Sequence, residues 1–296
     1  MKYTVTREDE AINIKHIMKE RIGISSRLYT RLKKNDKIMV NGISRMPHEM
    51  ALAGDVIEVL FDYEKNTFEC EKRLIDVLYE DEELLIVNKD AYYVVHPTKG
   101  HPTGTLMNFA ADHMRLNGDD SKIRFVNRLD RDTSGVVIMA KNQFVHHRMS
   151  EDMKEGSYEK RYLALVDGVL KDDLIRIEAP IEREADDSIM RVVREDGKPS
   201  TTIVSVLERF EEHTLVQIEL LTGRTHQIRV HMKHIGYPIV GDVLYNGPSE
   251  LIERQFLHCF EMSFNHPISR KRMAIHAANK RDMDDALRQL RGETDE

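Results

Sequence analysis

The stretch from Phe125 to Asn142, FVNRLDRDTSGVVIMAKN, constrains the fold of this 296-residue chain more than any other. It begins apolar, passes through a dense polar turn and ends in Val136-Val137-Ile138-Met139-Ala140, a run long enough for a buried strand. Asn127, Arg128, Asp130, Arg131, Asp132, Thr133 and Ser134 crowd the turn ahead of Gly135. Burying an unpaired charge is very costly, so a fold that buries this strand must find partners for the charges leading into it. Taken alone, the segment reads as a surface turn with a local ion pair. Its length and order favour a functional turn.

The chain is 41% hydrophobic, enough for one large domain and a small one with a substantial core. No apolar run approaches a membrane span, and MKYTVTREDE lacks the apolar stretch of a secretory signal. Cys70 and Cys259 form neither a disulfide framework nor a zinc pattern; they read as packing residues suited to a reducing cytoplasm. A net charge of −7 argues against a wholly basic nucleic-acid binder. Its distribution is uneven. Residues 1–60 carry 11 Lys/Arg and 8 Asp/Glu, a balance of +3, which leaves −10 for the remainder. Between 21 and 45 stand seven basic residues against Asp36 alone. Such a patch suits a phosphate-contacting surface, and equally a solvated helix face.

The sequence predicts a compact α/β module over 11–62. Ile12, Ile14, Ile17 and Met18 mark an amphipathic helix, and Ser25 or Ser26 caps a second helix near 26–34. Lys37–Val40 is a short strand, Asn41-Gly42 a strong hairpin signal, and Val56–Phe61 another strand. Residues 63–73 are polar and aperiodic and read as a linker. The second unit, 74–290, opens with strands at 76–79 and 84–89, and His96 reads as a satisfied histidine at a strand end. A helix is expected over 142–154 and strands over 159–166 and 214–221. Between them, 175–200 reads as a mobile surface hairpin. In TGRTHQIRVHMKHIGYPIVGD, Thr225 is the expected N-cap of a helix that Gly236 ends and Pro238 cannot continue. His226, His231 and His234 do not supply a zinc site, because residues five apart do not share a helix face and residues three apart give only two ligands. From Arg281 the chain is acidic and helical, with a frayed tail at 291–296.

Several of these segments, in order, resemble a known family. N-R-L-D-R-D-T-S-G is similar to the H-R-L-D-x-x-T-S-G signature of the RluA-type pseudouridine synthases, with Asn127 where His is usual. L-L-I-V-N-K-x-x-x-x-V-V-H-P, with Asp90 where Pro usually follows Asn-Lys, and K-R-Y-L-A also match. So do G-R-T-H-Q-I-R-V-H with G-Y-P-I-V-G-D-V-L-Y and the closing strand near 257–264. Upstream, S-R-L-Y-T-R-L-K-K-N-D-K-I-M-V-N-G and A-G-D-V-I-E-V resemble the small RNA-binding module named after ribosomal protein S-four.

The resemblance implies an α+β fold: a mixed, mainly antiparallel catalytic sheet flanked by helices and loops, plus the N-terminal module. It implies isomerisation of uridine to pseudouridine in RNA, with Asp130 as catalytic nucleophile, Arg229 as its ionic partner and Tyr162 beside the target base. Arg128, next to the nucleophile, either fills the place of the flipped nucleotide or braces the loop. Ile228 is a candidate base contact, though helix packing is its plainer role. Arg27, Arg31, Lys33 and Lys34 would meet RNA phosphates, which position but do not read sequence. The reaction is a rearrangement without redox change, so no cofactor and no metal are expected. Attack on the base and action at the ribose through a glycal-type intermediate both remain open. The partner is RNA, ribosomal large-subunit RNA first and tRNA second, with no membrane and no obligate protein partner; a monomer is expected. A non-catalytic RNA-binding or ribosome-assembly factor, and a hydrolase pairing Asp130 with Asp132, are the competing readings.

Overall fold

The structure is a computed structural model that describes residues 1–46, 48–61, 64–98 and 100–293. Residues 62–63, at the expected module boundary, and 294–296 of the expected tail lie outside the described residues. The N-terminal part holds β1 (Lys2–Thr4), α1 (Ile14–His16), α2 (Ser26–Lys34), β2 (Ile38–Val40), β3 (Ile43–Ser44) and β4 (Val56–Val59). The strands form an antiparallel sheet in the order β1-β4-β2-β3. Asn13 caps α1 by accepting from the His16 amide, and the helix widens into a π-turn over Ile17–Arg21 while Ile14, Ile17 and Met18 stay buried. Ser25 caps α2, which buries Leu28, Tyr29 and Leu32 and leaves Arg27, Arg31, Lys33 and Lys34 exposed. Asn41 and Gly42 take positive φ of 51° and 77°, the backbone of a two-residue hairpin turn.

The main sheet draws on the rest of the chain. Its elements are β5 (Val77–Glu80), β6 (Leu84–Lys89), α3 (Leu106–Leu116), β7 (Arg124–Phe125), β8 (Ser134–Ala140), α4 (Gln143–Lys154), β9 (Glu159–Asp167) and β10 (Leu174–Glu178). A small hairpin follows, β11 (Ile181–Arg183) with β12 (Arg191–Val193), then β13 (Thr201–Arg209), β14 (His213–Leu220), α5 (Gln227–His234), β15 (Leu257–Asn265), β16 (Arg272–His276) and α6 (Arg281–Arg291). Ten strands pair along β10-β13-β14-β9-β15-β8-β6-β5, with β16 joined to β15 and β7 to β8. Among the described residues every pairing in this sheet is antiparallel but one, that of β8 with β15. The expected mixed, mainly antiparallel α+β fold is the one the chain forms.

The parallel junction has only two pairs, His258 with Ser134 and Cys259 with Gly135. Gly135 takes φ +117°, and a Cβ there would come within 2.2 Å of the Cys259 carbonyl oxygen, so no other residue fits so close to β15. Beyond it, β8 is buried throughout and pairs along its length with β6.

Three local expectations need correction. Thr225 does not cap α5; the N-cap is His226, held in the left-handed region at φ 58° with no side-chain cap. No strand covers 94–97, and His96 is exposed, within 3.1 Å of the Pro97 carbonyl. Helix α3 was not anticipated, although Thr105 and Asn108 form a reciprocal capping box at its start. The N-terminal sheet packs against α4. Phe61 stacks on Phe144 at 4.9 Å between ring centroids, Arg148 Nη1 donates to the Ile22 carbonyl at 2.9 Å, and Arg31 Nη2 donates to Gln143 Oε1 at 2.9 Å.

Candidate active site

The polar turn between β7 and β8 carries Asp130 into the mouth of a cleft of about 750 Å³. Arg229, on α5, donates from Nη1 to Asp130 Oδ2 at 2.9 Å. Its other face is taken by Asp242, to which Nε and Nη2 donate at 2.7 and 2.8 Å. The planar guanidinium thus holds one carboxylate with a two-pronged bond and presents its remaining donor to the other. Burial works against the Arg229 cation, but Asp242 and then Asp130 more than offset it and raise its pKa. Asp242 is 1% exposed and also accepts from the Leu244 and Tyr245 amides. Gly241 is needed just before it, because a Cβ there would meet the Arg254 carbonyl oxygen at 2.3 Å.

His226 approaches the same oxygen, Nε2 to Asp130 Oδ2 at 3.7 Å. Asp130 Oδ1 has no partner among the described residues. Asp132 is held separately, by Arg131 at 2.8 and 2.9 Å. The local ion pair expected of a bland turn is therefore present, but it belongs to Asp132. Each carboxylate has its own arginine, which removes the basis for an Asp130–Asp132 hydrolytic pair.

Buried cations support the turn from behind. Lys89, 2% exposed, donates to the carbonyls of Asp90, Arg131 and Thr133 at 2.8–2.9 Å. Arg254 donates to the Asp132 carbonyl at 3.2 Å and is itself held by Asp282. Gln255 donates to Thr133 Oγ1 at 2.8 Å. Burial holds His258 at about 4, so it is neutral; its Nε2 faces the Ala277 carbonyl and leaves Nδ1 to accept from the Ser134 hydroxyl at 2.8 Å. Asn127 stands in for a peptide group: its Nδ2 donates to the Val136 carbonyl at 3.0 Å and its Oδ1 accepts from the Ile138 amide at 2.8 Å.

A narrow recess of about 80 Å³ opens beside the cleft and is lined by Arg128, Asp130, Tyr162, Ile228 and Leu257, among others. Tyr162 and Ile228 thus line one recess with Asp130. Tyr162 and Cys259 are paired neighbours across β9 and β15. Burial raises the Tyr162 pKa well above its usual value, so the side chain is a neutral phenol. Arg128 is exposed and makes no hydrogen bond or ion pair among the described residues. None of the basic residues of α2 lines the cleft, and α2 meets α4, which follows the far end of β8. Arg31 in particular faces Gln143.

Sequence reasoning left Asp242 and Tyr245 without roles, although both stand in the motif G-Y-P-I-V-G-D-V-L-Y. It considered His226 only as a metal ligand. The hairpin β11–β12, expected as a solvated loop, lines the cleft with Arg183, Ile189 and Arg191. His231 is buried with both ring nitrogens engaged, by Thr202 Oγ1 and the Ala179 carbonyl. Among the described residues no three His, Cys, Asp or Glu side chains converge as metal ligands.

The profile of a protein family described as RNA pseudouridylate synthase matches residues 83–234, just over half of the chain, and the chain belongs to that family. It is an RNA pseudouridine synthase, an enzyme that isomerises uridine within RNA. Similar proteins include the "Uncharacterized RNA pseudouridine synthase YjbO" of Bacillus subtilis, 38% identical over 265 residues, 88% of this chain and 94% of that protein. Ribosomal large subunit pseudouridine synthase D of Vibrio vulnificus is 32% identical over 286 residues, 90% of this chain and 88% of that protein. Among solved structures, human RNA pseudouridylate synthase domain containing 1 superposes with a TM-score of 0.60 at 26% identity, covering 72% of this chain and 87% of that one.

Proposed function

We propose that the chain forms pseudouridine in large-subunit ribosomal RNA, with Asp130 as the nucleophile. One observation carries the assignment of Asp130. Arg229 grips its Oδ2, while Oδ1 has no partner among the described residues where the cleft meets the recess. A reacting carboxylate needs this asymmetry: one oxygen fixed by a cation, the other open to substrate. Base attack and action at the ribose both start from Oδ1. Uridine leaves its stack at roughly a few kcal/mol and enters the recess, where Tyr162 and Ile228 supply an apolar wall. Tyr162 acts there as a neutral phenol. Arg128, exposed at the rim, is placed to occupy the position that the nucleotide vacates.

Residues 1–62 serve as an S-four-like RNA-binding module and 74–290 as the catalytic domain, joined through 63–73. The exposed Arg27, Lys33 and Lys34 on α2 support a phosphate-gripping role. Large-subunit RNA as the target is supported by the names of relatives such as synthase D of Vibrio vulnificus and of Yersinia pestis. Work in the cytoplasm suits the two cysteines, one exposed and one buried, which form no disulfide. Among the described residues no helix is long and apolar enough to cross a membrane.

The test is tritium release from carbon-5-labelled uridine in RNA from cells lacking the gene. Asp130→Asn should abolish release while RNA binding persists; retained turnover means that the nucleophile is misassigned. Mapping pseudouridine in RNA from cells with and without the gene fixes the target. A missing modification in tRNA, with ribosomal RNA unchanged, overturns the ribosomal assignment. No release by the wild-type protein on any cellular RNA favours a binding factor that retains the fold.

A further inference from the structure

We propose that Arg191, Tyr245 and His226 form a directed hydrogen-bond relay that positions Asp130 and ties it to the β11–β12 hairpin over the cleft. This rests on the reading of Asp130 as the reacting carboxylate. The Arg191 amide donates to the Tyr245 hydroxyl oxygen at 2.8 Å. That hydroxyl lies 2.8 Å from His226 Nδ1, and His226 Nε2 points at Asp130 Oδ2 from 3.7 Å.

The direction of the relay follows from what each atom can donate. A carboxylate can only accept, so the neutral imidazole is stable with its proton on Nε2, facing Asp130. Nδ1 is then an acceptor and takes the Tyr245 proton. The Tyr245 oxygen has its own acceptor capacity engaged by the Arg191 amide. Every group therefore has one role, and the relay ends on the oxygen that Arg229 also grips. The Nε2 to Oδ2 separation is slightly beyond hydrogen-bond range, as is common at catalytic contacts before substrate binds. As Oδ1 engages uridine, this contact closes and helps hold the carboxylate in its reacting orientation.

Packing makes the relay rigid. Tyr245 is 5% exposed and clusters with Ile181 of β11 and Val230 of α5. Its ring meets His226 edge-on at 5.6 Å and carries the Arg229 guanidinium at 4.9 Å. His226 is held in the left-handed region, which few residues other than glycine adopt; strain of this kind gathers at functional sites. The side chain of Arg191 reaches the other way. Its Nη1 donates to the Ile189 and Met190 carbonyls at 3.2 and 3.0 Å, which braces the tip of the hairpin. One residue thus holds the hairpin with its side chain and the relay with its amide. RNA that presses on the hairpin acts on the carboxylate through Tyr245 and His226, which are positioning residues.

Single-turnover tritium release by the full-length protein tests the relay. Tyr245→Phe keeps the ring and deletes the proton; His226→Asn keeps a residue that tolerates the left-handed backbone. Each should slow the reaction about tenfold or more, His226→Asn by removing the contact to the Asp130 carboxylate and Tyr245→Phe by freeing the imidazole that makes it, with RNA affinity and melting temperature close to wild type. The pH profile separates positioning from general damage. His226 faces Asp130, Arg229, Arg191, Asp242 and Tyr245, and burial outweighs the attraction of Asp130 and lowers its pKa. Below that pKa both ring nitrogens carry protons and Tyr245 can no longer donate, so the wild-type rate should fall on its acid side. His226→Asn should lose that limb. Wild-type rates in both variants, or an equal loss at every pH with a lowered melting temperature, overturn the relay. An active Asp130→Ala overturns the nucleophile assignment instead, whereas an inactive Asp130→Ala beside unaffected Tyr245→Phe and His226→Asn overturns the relay alone.

Discussion

The turn that carries Asp130 is held by side chains behind it, and Lys89 shows how closely. Three backbone carbonyls, two of them in that turn, converge on one buried ammonium. Burial lowers its pKa from 10.5 to about 7, against the opposing pull of Asp132. The unfolded chain thus binds more protons than the folded one between those two values, so this group's contribution to stability rises with pH across that window. Lys89→Met should abolish the rise: the gap in melting temperature between wild type and variant should widen in favour of wild type from about pH 7 to about pH 9. Parallel melting curves would show that the ammonium is not desolvated as described. Turnover should fall as well, because the Arg131 and Thr133 carbonyls lose their donor. Arg229 makes a comparable point about shape. A lysine would supply the charge but not the fork that serves Asp242 and Asp130 together.

At the scale of elements, α2 and the β11–β12 hairpin depart from what charge and composition imply. The basic stripe of α2 is divided. Arg31 bonds Gln143 of α4, while Arg27, Lys33 and Lys34 remain exposed. Arg27→Ala combined with Lys34→Ala should therefore weaken RNA binding and reduce the slope of log K against log salt by roughly 1.4–1.8, two phosphate contacts' worth. Filter binding across a salt series measures this, and an unchanged slope removes α2 from the RNA interface. The hairpin has the composition of a solvated loop, yet its foot is pinned by Tyr245 and Val230 and its residues line the cleft. Asn127 is the converse case. It stands where the family signature has His, but its amide pairs with β8 as a peptide would, so the start of the turn stays bonded to that strand.

Across the whole molecule, the N-terminal part and the main sheet meet on α4, and their apolar residues merge into one continuous core. The Phe61–Phe144 stack lies at that seam, with Arg148 bonding the Ile22 carbonyl beside it. Phe144 is 1% exposed, so Phe144→Ala should destabilise the protein by about 3–5 kcal/mol. It should also loosen the module from α4, which limited proteolysis within 64–73 would detect. If a docked module positions RNA, KM for a long RNA should rise while kcat changes little. A change in kcat alone would mean that the seam acts on the main sheet instead.

What the sequence determined is local. Periodicity and capping residues identify α2, α4, β6, β8 and β14, because the signals lie within a few residues of the elements they specify. Family motifs, more than spacing, pointed to Asp130, Tyr162 and Arg229. Local signals also misled. Thr225 has the chemistry of an N-cap, yet the chain turns through a left-handed His226, whose imidazole lies 3.7 Å from Asp130. Tertiary structure alone decided the partners. Asp130 and Arg229 are 99 residues apart, and Lys89 reaches the turn that carries Asp130 from a different strand. Such contacts depend on the order of the sheet and on the two-pair parallel junction that places β15 beside Gly135. A buried charge is stable only where several distant donors or acceptors converge on it, and no local pattern in a sequence records that convergence.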